Sequence, residues 1–214
     1  MSRFVSGVAL CMSIAACHGQ PDEDAFQSEK IDQPDPVEEI VTATGGEDCL
    51  VLVWEKQQDR DEIFDRANDA AAKGGAISCA TGTTPSRYER VLARLRNAAT
   101  QGDKAALLAE IGIPLLYIDE NGDRQLLEGA ALDAAFDDAF PPEVLEVLAT
   151  AQLQDMTVVP EEGGFFQLGA LWLVVDEPGG DPKLVSVNQQ ALSEAAAAAR
   201  DKAERGEATP LPRG

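Results

Sequence analysis

Arg87, Arg90 and Arg94 recur at i, i+3 and i+7, so a helix there holds three guanidinium groups on one face, with Arg96 close by. Guanidinium groups in a row suit carboxylates and phosphates, which they grip with paired hydrogen bonds. In a chain of net charge −21, four of its 17 basic residues within ten positions is a local reversal. The patch can serve an anionic ligand or a partner's acidic segment, or it can pair with carboxylates of the same chain. Other reactive chemistry is thin. The sole histidine, His18, lies in an acidic, Pro-interrupted stretch, which leaves the rest of the chain without a histidine for a serine or cysteine triad. P-loop, GxGxxG, HExxH and CxxC patterns are all missing, so no metal or other cofactor and no catalytic residue is expected. Asp119-Glu120-Asn121-Gly122-Asp123 fails as a calcium loop, because Arg124 and Ala130 stand where a glycine and a glutamate are needed. Asn121-Gly122 is better read as a hairpin turn. Glu161-Glu162-Gly163-Gly164 likewise reads as a turn, and Asp137-Asp138 as a solvated helix face.

The other reactive groups are four cysteines. Arg3 precedes an apolar run, Phe4 to Ala15, that is too short for a permanent membrane helix. It ends in Ile14-Ala15-Ala16-Cys17, an aliphatic residue and two small ones before a cysteine. This arrangement resembles a bacterial lipoprotein signal. The resemblance implies cleavage between Ala16 and Cys17 and lipidation of Cys17 with a diacylglyceryl group and an amide-linked acyl chain such as palmitate. It further implies a lipid-anchored protein of the cell envelope, and the absence of Asp at His18 points to the outer membrane, facing the periplasm. Loss of Arg3 with the signal takes the net charge to −22. Cys49 and Cys79 then remain as an even pair in an oxidising compartment, where a disulfide is expected; the alternatives are two free buried thiols or a metal pair, the latter poorly served with His18 the sole histidine and no CxxC spacing. Closing that loop stabilises a fold by about 3–4 kcal/mol in the chain-entropy model.

Composition sets the frame for these groups. Hydrophobic content of 44% belongs to a globular chain, and aromatic content of 5% leaves the core to Leu, Val, Ile and Ala. The strong negative charge disfavours nucleic acid and anionic lipid surfaces as partners. Residues 1–17 read as the signal peptide. Residues 18–46 read as an acidic tether holding the domain about 30 Å from a bilayer. Residues 47–206 read as one domain, and 207–214 as a flexible tail.

Within the domain, Leu50 to Trp54 is a buried strand or the start of a helix running on to Lys73, and Ala76 to Cys79 a short strand or extended chain. Ser86-x-x-Glu89 has the form of a capping box, opening a helix that ends near Gly102. Asp103 caps a short helix, and strands at Leu115–Ile118 and Gln125–Leu127 flank the Asn121-Gly122 turn. Leu132–Phe140 and Glu143–Ala149 are helical. Met156–Val159, Phe165–Val175 and Leu184–Val187 are strands, and Asn188 caps a final alanine-rich helix. Alternation along Phe165–Val175 places Phe166, Leu168, Ala170, Trp172 and Val174 on one face, with Phe165, Leu171, Leu173 and Val175 on the other.

Four features carry a further resemblance: Pro114-Leu115 entering a strand, Phe136-Asp137 to Phe140-Pro141 ending a helix, Gly169-Ala170-Leu171-Trp172 on a long strand, and Val185-Ser186-Val187-Asn188 closing the sheet. Their order from Ser86 to Asn188 resembles the nuclear transport factor two-like superfamily, also called SnoaL-like or cystatin-like. The resemblance implies an α+β fold with helices packed on a bent antiparallel sheet, here with an extra N-terminal α/β segment at 47–85 and a C-terminal helix at 189–206. It also implies either a non-catalytic binding or scaffolding module or a small cavity enzyme of isomerase or dehydratase type. The lack of a histidine after His18 favours the first. Partners expected for it are an envelope protein, a second copy of the chain or a small apolar ligand. The two apolar faces of the long strand need covering, and residues 47–80 are the first candidate for the face around Trp172.

Overall fold

The computed structural model describes residues 46–70 and 72–205. The signal, the lipidation site Cys17, the tether up to residue 45 and the C-terminal tail lie outside the described residues.

Three short helices open the domain: α1 (Gly46–Trp54), α2 (Glu62–Asn68) and α3 (Ile77–Thr81). Leu50 to Trp54 is therefore helix rather than strand, and Ala76 to Cys79 leads into α3 rather than forming a strand. The segment expected to be α/β is helical, and a bridge from Lys73 to Thr157 joins it to the sheet edge. No single helix runs to Lys73, because α1 stops at Trp54 and α2 starts afresh where Asp61 accepts a hydrogen bond from Phe64 N.

The long helix α4 (Pro85–Gln101) buries Tyr88, Val91, Leu92, Leu95, Ala98 and Ala99, the apolar face its spacing predicts. Burial pushes the Tyr88 phenol up to about 12. Gly102, with φ of 63°, ends the helix in the left-handed conformation that glycine adopts at least cost. Its start differs from the capping-box reading. Pro85 is the first helical residue, Thr84 is the N-cap without a side-chain cap bond, and Ser86 lies two residues too far in to cap. Asp103 does cap α5 (Lys104–Ala109), accepting from Ala106 N at 3.0 Å.

Strands β1 (Ile111–Ile118) and β2 (Arg124–Leu127) form the expected hairpin. Asp119 Oδ1 accepts from Asn121 N and Asp123 N at 2.8 and 2.9 Å, so this carboxylate folds the turn. Helices α6 (Gly129–Ala134), α7 (Phe136–Ala139) and α8 (Pro142–Thr150) follow, with Asp137 and Asp138 exposed. Strands β3 (Thr157–Val159), β4 (Gly163–Phe166), β5 (Leu171–Val174) and β6 (Lys183–Asn188) complete one six-stranded sheet in the order β2-β1-β6-β5-β4-β3. The closing helix α9 (Gln189–Glu204) is capped by Asn188, which accepts from Ala191 N at 3.0 Å.

The fold is α+β, with helices packed on an open sheet that fits a cystatin-like cone at a coarse level. The sheet is mixed rather than antiparallel, because β1 and β6, its second and third strands counted from β2, run parallel. Its inner face carries Leu115, Leu171, Leu173, Leu184 and Val187, which bury against α4 and against Val144 and Leu148 of α8.

Phe165–Val175 is not one strand. Gln167, Leu168 and Gly169 all have left-handed φ, of 48°, 56° and 93°, and turn the chain back on itself. Ala170 N donates to Gln167 O across this turn, and β4 and β5 pair antiparallel. The turn resets the side-chain alternation. Phe165 now faces Trp172, with ring centroids 4.9 Å apart, and Phe166 faces Leu171 in the core.

Candidate functional site

Of the four candidate arginines, three (Arg87, Arg90 and Arg94) lie in a single ion-pair network. Asp181, just before β6, accepts from Arg87 at 2.8 Å and from Arg94 at 3.1 Å. Arg94 also grips Glu110 with two hydrogen bonds, at 2.6 and 2.9 Å. Lys183 lies 3.9 Å from Glu110 and donates to Ala109 O at 2.8 Å. Burial raises the cost of ionising Asp181, but the hydrogen bonds from Arg87 and Arg94 outweigh it and hold the carboxyl below its usual range. The bond to Glu110 in turn raises Arg94. Arg96 points elsewhere, pairing with Glu89 and donating to Ala151 O at 2.9 Å. Arg90 approaches Asp181 only to 3.9 Å. The row of cations expected on α4 thus works mainly as an internal clamp, joining α4 to the end of α5 and the start of β6. Asp181 and Glu110 gave no signal in sequence, since each reads as an ordinary solvated acid.

A second constellation went unnoticed in the sequence. Asp65 in α2 is fully buried, yet it accepts from Trp54 Nε1 at 2.9 Å and from Ser86 N at 2.6 Å. It thereby caps α4 from 21 residues away, the role the local sequence assigned to Ser86. Asp69, one turn on, accepts from Ser78 N at 2.8 Å. Burial pushes the Asp69 carboxyl up, and the Ser78 hydrogen bond offsets part of that. Buried Thr83 and Thr84 complete the cluster, bonding to Gly180 O at 2.6 Å and Gln57 Oε1 at 3.3 Å. Cys49 and Cys79 are bonded across it, with Cα atoms 5.1 Å apart. These groups dock α1, α2 and α3 to the rest of the domain.

The third feature is the outer face of the sheet. One register row crosses all six strands: Leu126, Leu116, Ser186, Trp172, Phe165 and Thr157. A hollow of about 390 Å³ opens on it, lined by Leu116, Ile118, Trp172, Val185, Ser186 and Asn188, with Glu162 and Gly169 alongside. None of these lining residues comes from 46–82, so that segment does not cover the Trp172 hollow as expected. It lies instead against β3 and β4 and the start of α4. Larger grooves, of about 520 Å³ between α8 and α9 and about 570 Å³ beside Arg96, have more polar walls, including Glu143 and Glu146 in one and Gln152 and Gln154 in the other. Of the carboxylates bordering these hollows, Glu120, Glu143, Glu146 and Glu162 are exposed and half-buried Glu89 is paired with Arg96, whereas buried Asp65 and Glu110 are bound by protein donors.

Among the described residues no group of three or more His, Cys, Asp or Glu side chains is placed to hold a metal ion, and no helix is long and apolar enough to cross a membrane. No family model matches this chain, and no curated protein or solved structure is significantly similar to it.

Proposed function

We propose that this chain is a lipid-anchored protein of the bacterial cell envelope, held at the outer membrane through Cys17, and that its domain is a non-catalytic binding module for a small apolar ligand. The anchoring rests on Ile14-Ala15-Ala16-Cys17 behind a short apolar run, and the Cys49–Cys79 pair suits an oxidising compartment. The observation that carries the binding role is the Trp172 hollow. Ligand sites combine apolar walls with a few fixed polar groups, and Ser186 and Asn188 supply the latter among Leu116, Ile118, Trp172 and Val185. Phe165, its ring tilted by 35° against Trp172, widens the apolar platform.

Two measurements test the reading. Mass spectrometry of the membrane-extracted protein should find a diacylglyceryl adduct on an N-terminal Cys17, and an unmodified product or a different mature start rejects the anchor. An uncharged hydrophobic dye should bind near Trp172 and quench its emission, with Trp172→Ala and Leu116→Asp abolishing binding. Dye uptake unchanged in both variants rejects the hollow as the site.

A further inference from the structure

We propose that β2 is a self-association edge, to which a second copy of this chain adds its own β2 in antiparallel register centred on Leu126. The two edges of the sheet differ. At β3, Lys73 bridges Thr157, and Lys73 O accepts from Val158 N at 2.7 Å, so chain already lies against that edge. At β2, no strand pairs on the outer side among the described residues. An edge strand directs the N–H and C=O of alternate residues outward, where another strand can take them up. Proline and bulge, two common devices that block such pairing, do not occur in Arg124–Leu127.

The side chains fit a second copy specifically. Leu126 is 67% exposed although it belongs to the apolar row of the outer face. Arg124 and Glu128 flank it two residues to either side and are exposed. Glu128 keeps extended backbone, with φ of −148° and ψ of 155°, so strand geometry runs through it. In antiparallel pairing about a two-fold axis at Leu126, each Leu126 meets its counterpart, and each Arg124 stands opposite Glu128 of the other copy. Both charge pairs and the leucine pair then lie on the same face of the joined sheet. Centring the axis one residue away sets Arg124 or Glu128 opposite leucine, so only this register is complementary. Edge charges that normally prevent pairing are here of opposite sign and matched in position. The apolar row running from Phe165 through Trp172 and Leu116 to Leu126 continues into the second copy. An interface of this size falls below about 1,200 Å² and makes a weak, reversible dimer. It does not depend on what occupies the Trp172 hollow.

Sedimentation of the full chain in mild detergent, over concentrations up to about 1 mM, tests this. The wild-type chain should show a monomer–dimer equilibrium. Arg124→Glu alone and Glu128→Arg alone should each weaken it about tenfold, because each creates two like-charge pairs. An equimolar mixture of the two variants should regain wild-type association as a heterodimer, since every position is then again opposite its complement. General repulsion between highly negative chains predicts the reverse for Glu128→Arg, which lowers the net charge. All three side chains are exposed, so the variants should keep the wild-type melting temperature. No association at the highest concentration, association unchanged in both single variants, or failure of the mixture to restore it would each overturn the proposal.

Discussion

The layer between α4, α8 and the inner face of the sheet and the segment from Cys49 to Gly82 are both buried, but different forces hold them. The first is largely apolar, with Leu95, Leu115, Leu148, Leu173 and Leu184 almost wholly inaccessible. Its stabilisation is spread over many contacts, none of them directional. The second is tied by a covalent bond and by a few hydrogen bonds to Asp65, Asp69, Thr83 and Thr84. A segment of short helices cannot bury enough side chain to stand alone, so it relies on fixed polar partners. Losing one such partner strands its mate in a dry site, which costs more than losing one dispersion contact. The segment is therefore the softer of the two regions, and single substitutions should separate them.

The largest effect is expected from the disulfide. Cys49→Ser/Cys79→Ser should lower stability by about 3–4 kcal/mol, as measured by urea unfolding. If the comparison is right, Trp54 fluorescence in this variant should report exposure at a lower urea concentration than Tyr88 near-ultraviolet dichroism. Coincident transitions would show that segment and core unfold as one unit. Next comes Asp65→Ala, which removes the cap of α4 and leaves Trp54 Nε1–H and Ser86 N–H without their acceptor. A loss of about 2–3 kcal/mol is expected, and Asp65→Asn should recover part of it by keeping one acceptor oxygen. A loss below about 0.5 kcal/mol would mean that the buried carboxylate is dispensable.

The smallest effect concerns the arginine clamp, which ties the start of β6 to α4. Asp181 is held below its ordinary range in the folded state, so its contribution to stability is complete above the unfolded carboxylate value. That contribution is lost as pH falls from about 4 through the lower folded value. Asp181→Asn should cost about 1 kcal/mol at neutral pH, discounted because the groups are partly exposed to solvent. Its melting temperature should also fall less steeply than wild type between about pH 4 and 2. Equal acid sensitivity in both proteins would remove Asp181 from the clamp.

Local chemistry was readable in the sequence, and pairing over distance was not. The Asn121-Gly122 hairpin, the Asp103 and Asn188 caps and the buried stripe of α4 depend on residues within a few positions of one another, and each stands as expected. Asp65 as the cap of α4 depends on a fold already formed, and nothing near Ser86 hints at it. The parallel β1–β6 pairing is non-local in the same way. The turn at Gln167–Gly169 was hidden because two of its three left-handed residues are not glycine, so Phe165–Val175 reads as one apolar run. That single misreading separated Phe165 from Trp172, the aromatic pair beside the candidate hollow. The arginine row was legible as a cluster, but its partners Asp181 and Glu110 were not, so a clamp and a binding patch looked alike.

Helix α9 has 16 residues, about 24 Å of chain, and only Ala191 in it is buried. Leu192 packs partly against the core near its start, whereas the run from Ala195 to Ala199 is mostly exposed and holds a helix chiefly by backbone propensity, with little packing to make its melting cooperative. Such a helix frays from its free end as temperature rises, gradually and well before a packed domain gives way. Far-ultraviolet ellipticity should therefore begin to drift at temperatures where the near-ultraviolet signals of Trp54 and Tyr88 are still flat. That early slope belongs to α9 and should be assigned to the baseline when a denaturation curve of this protein is fitted.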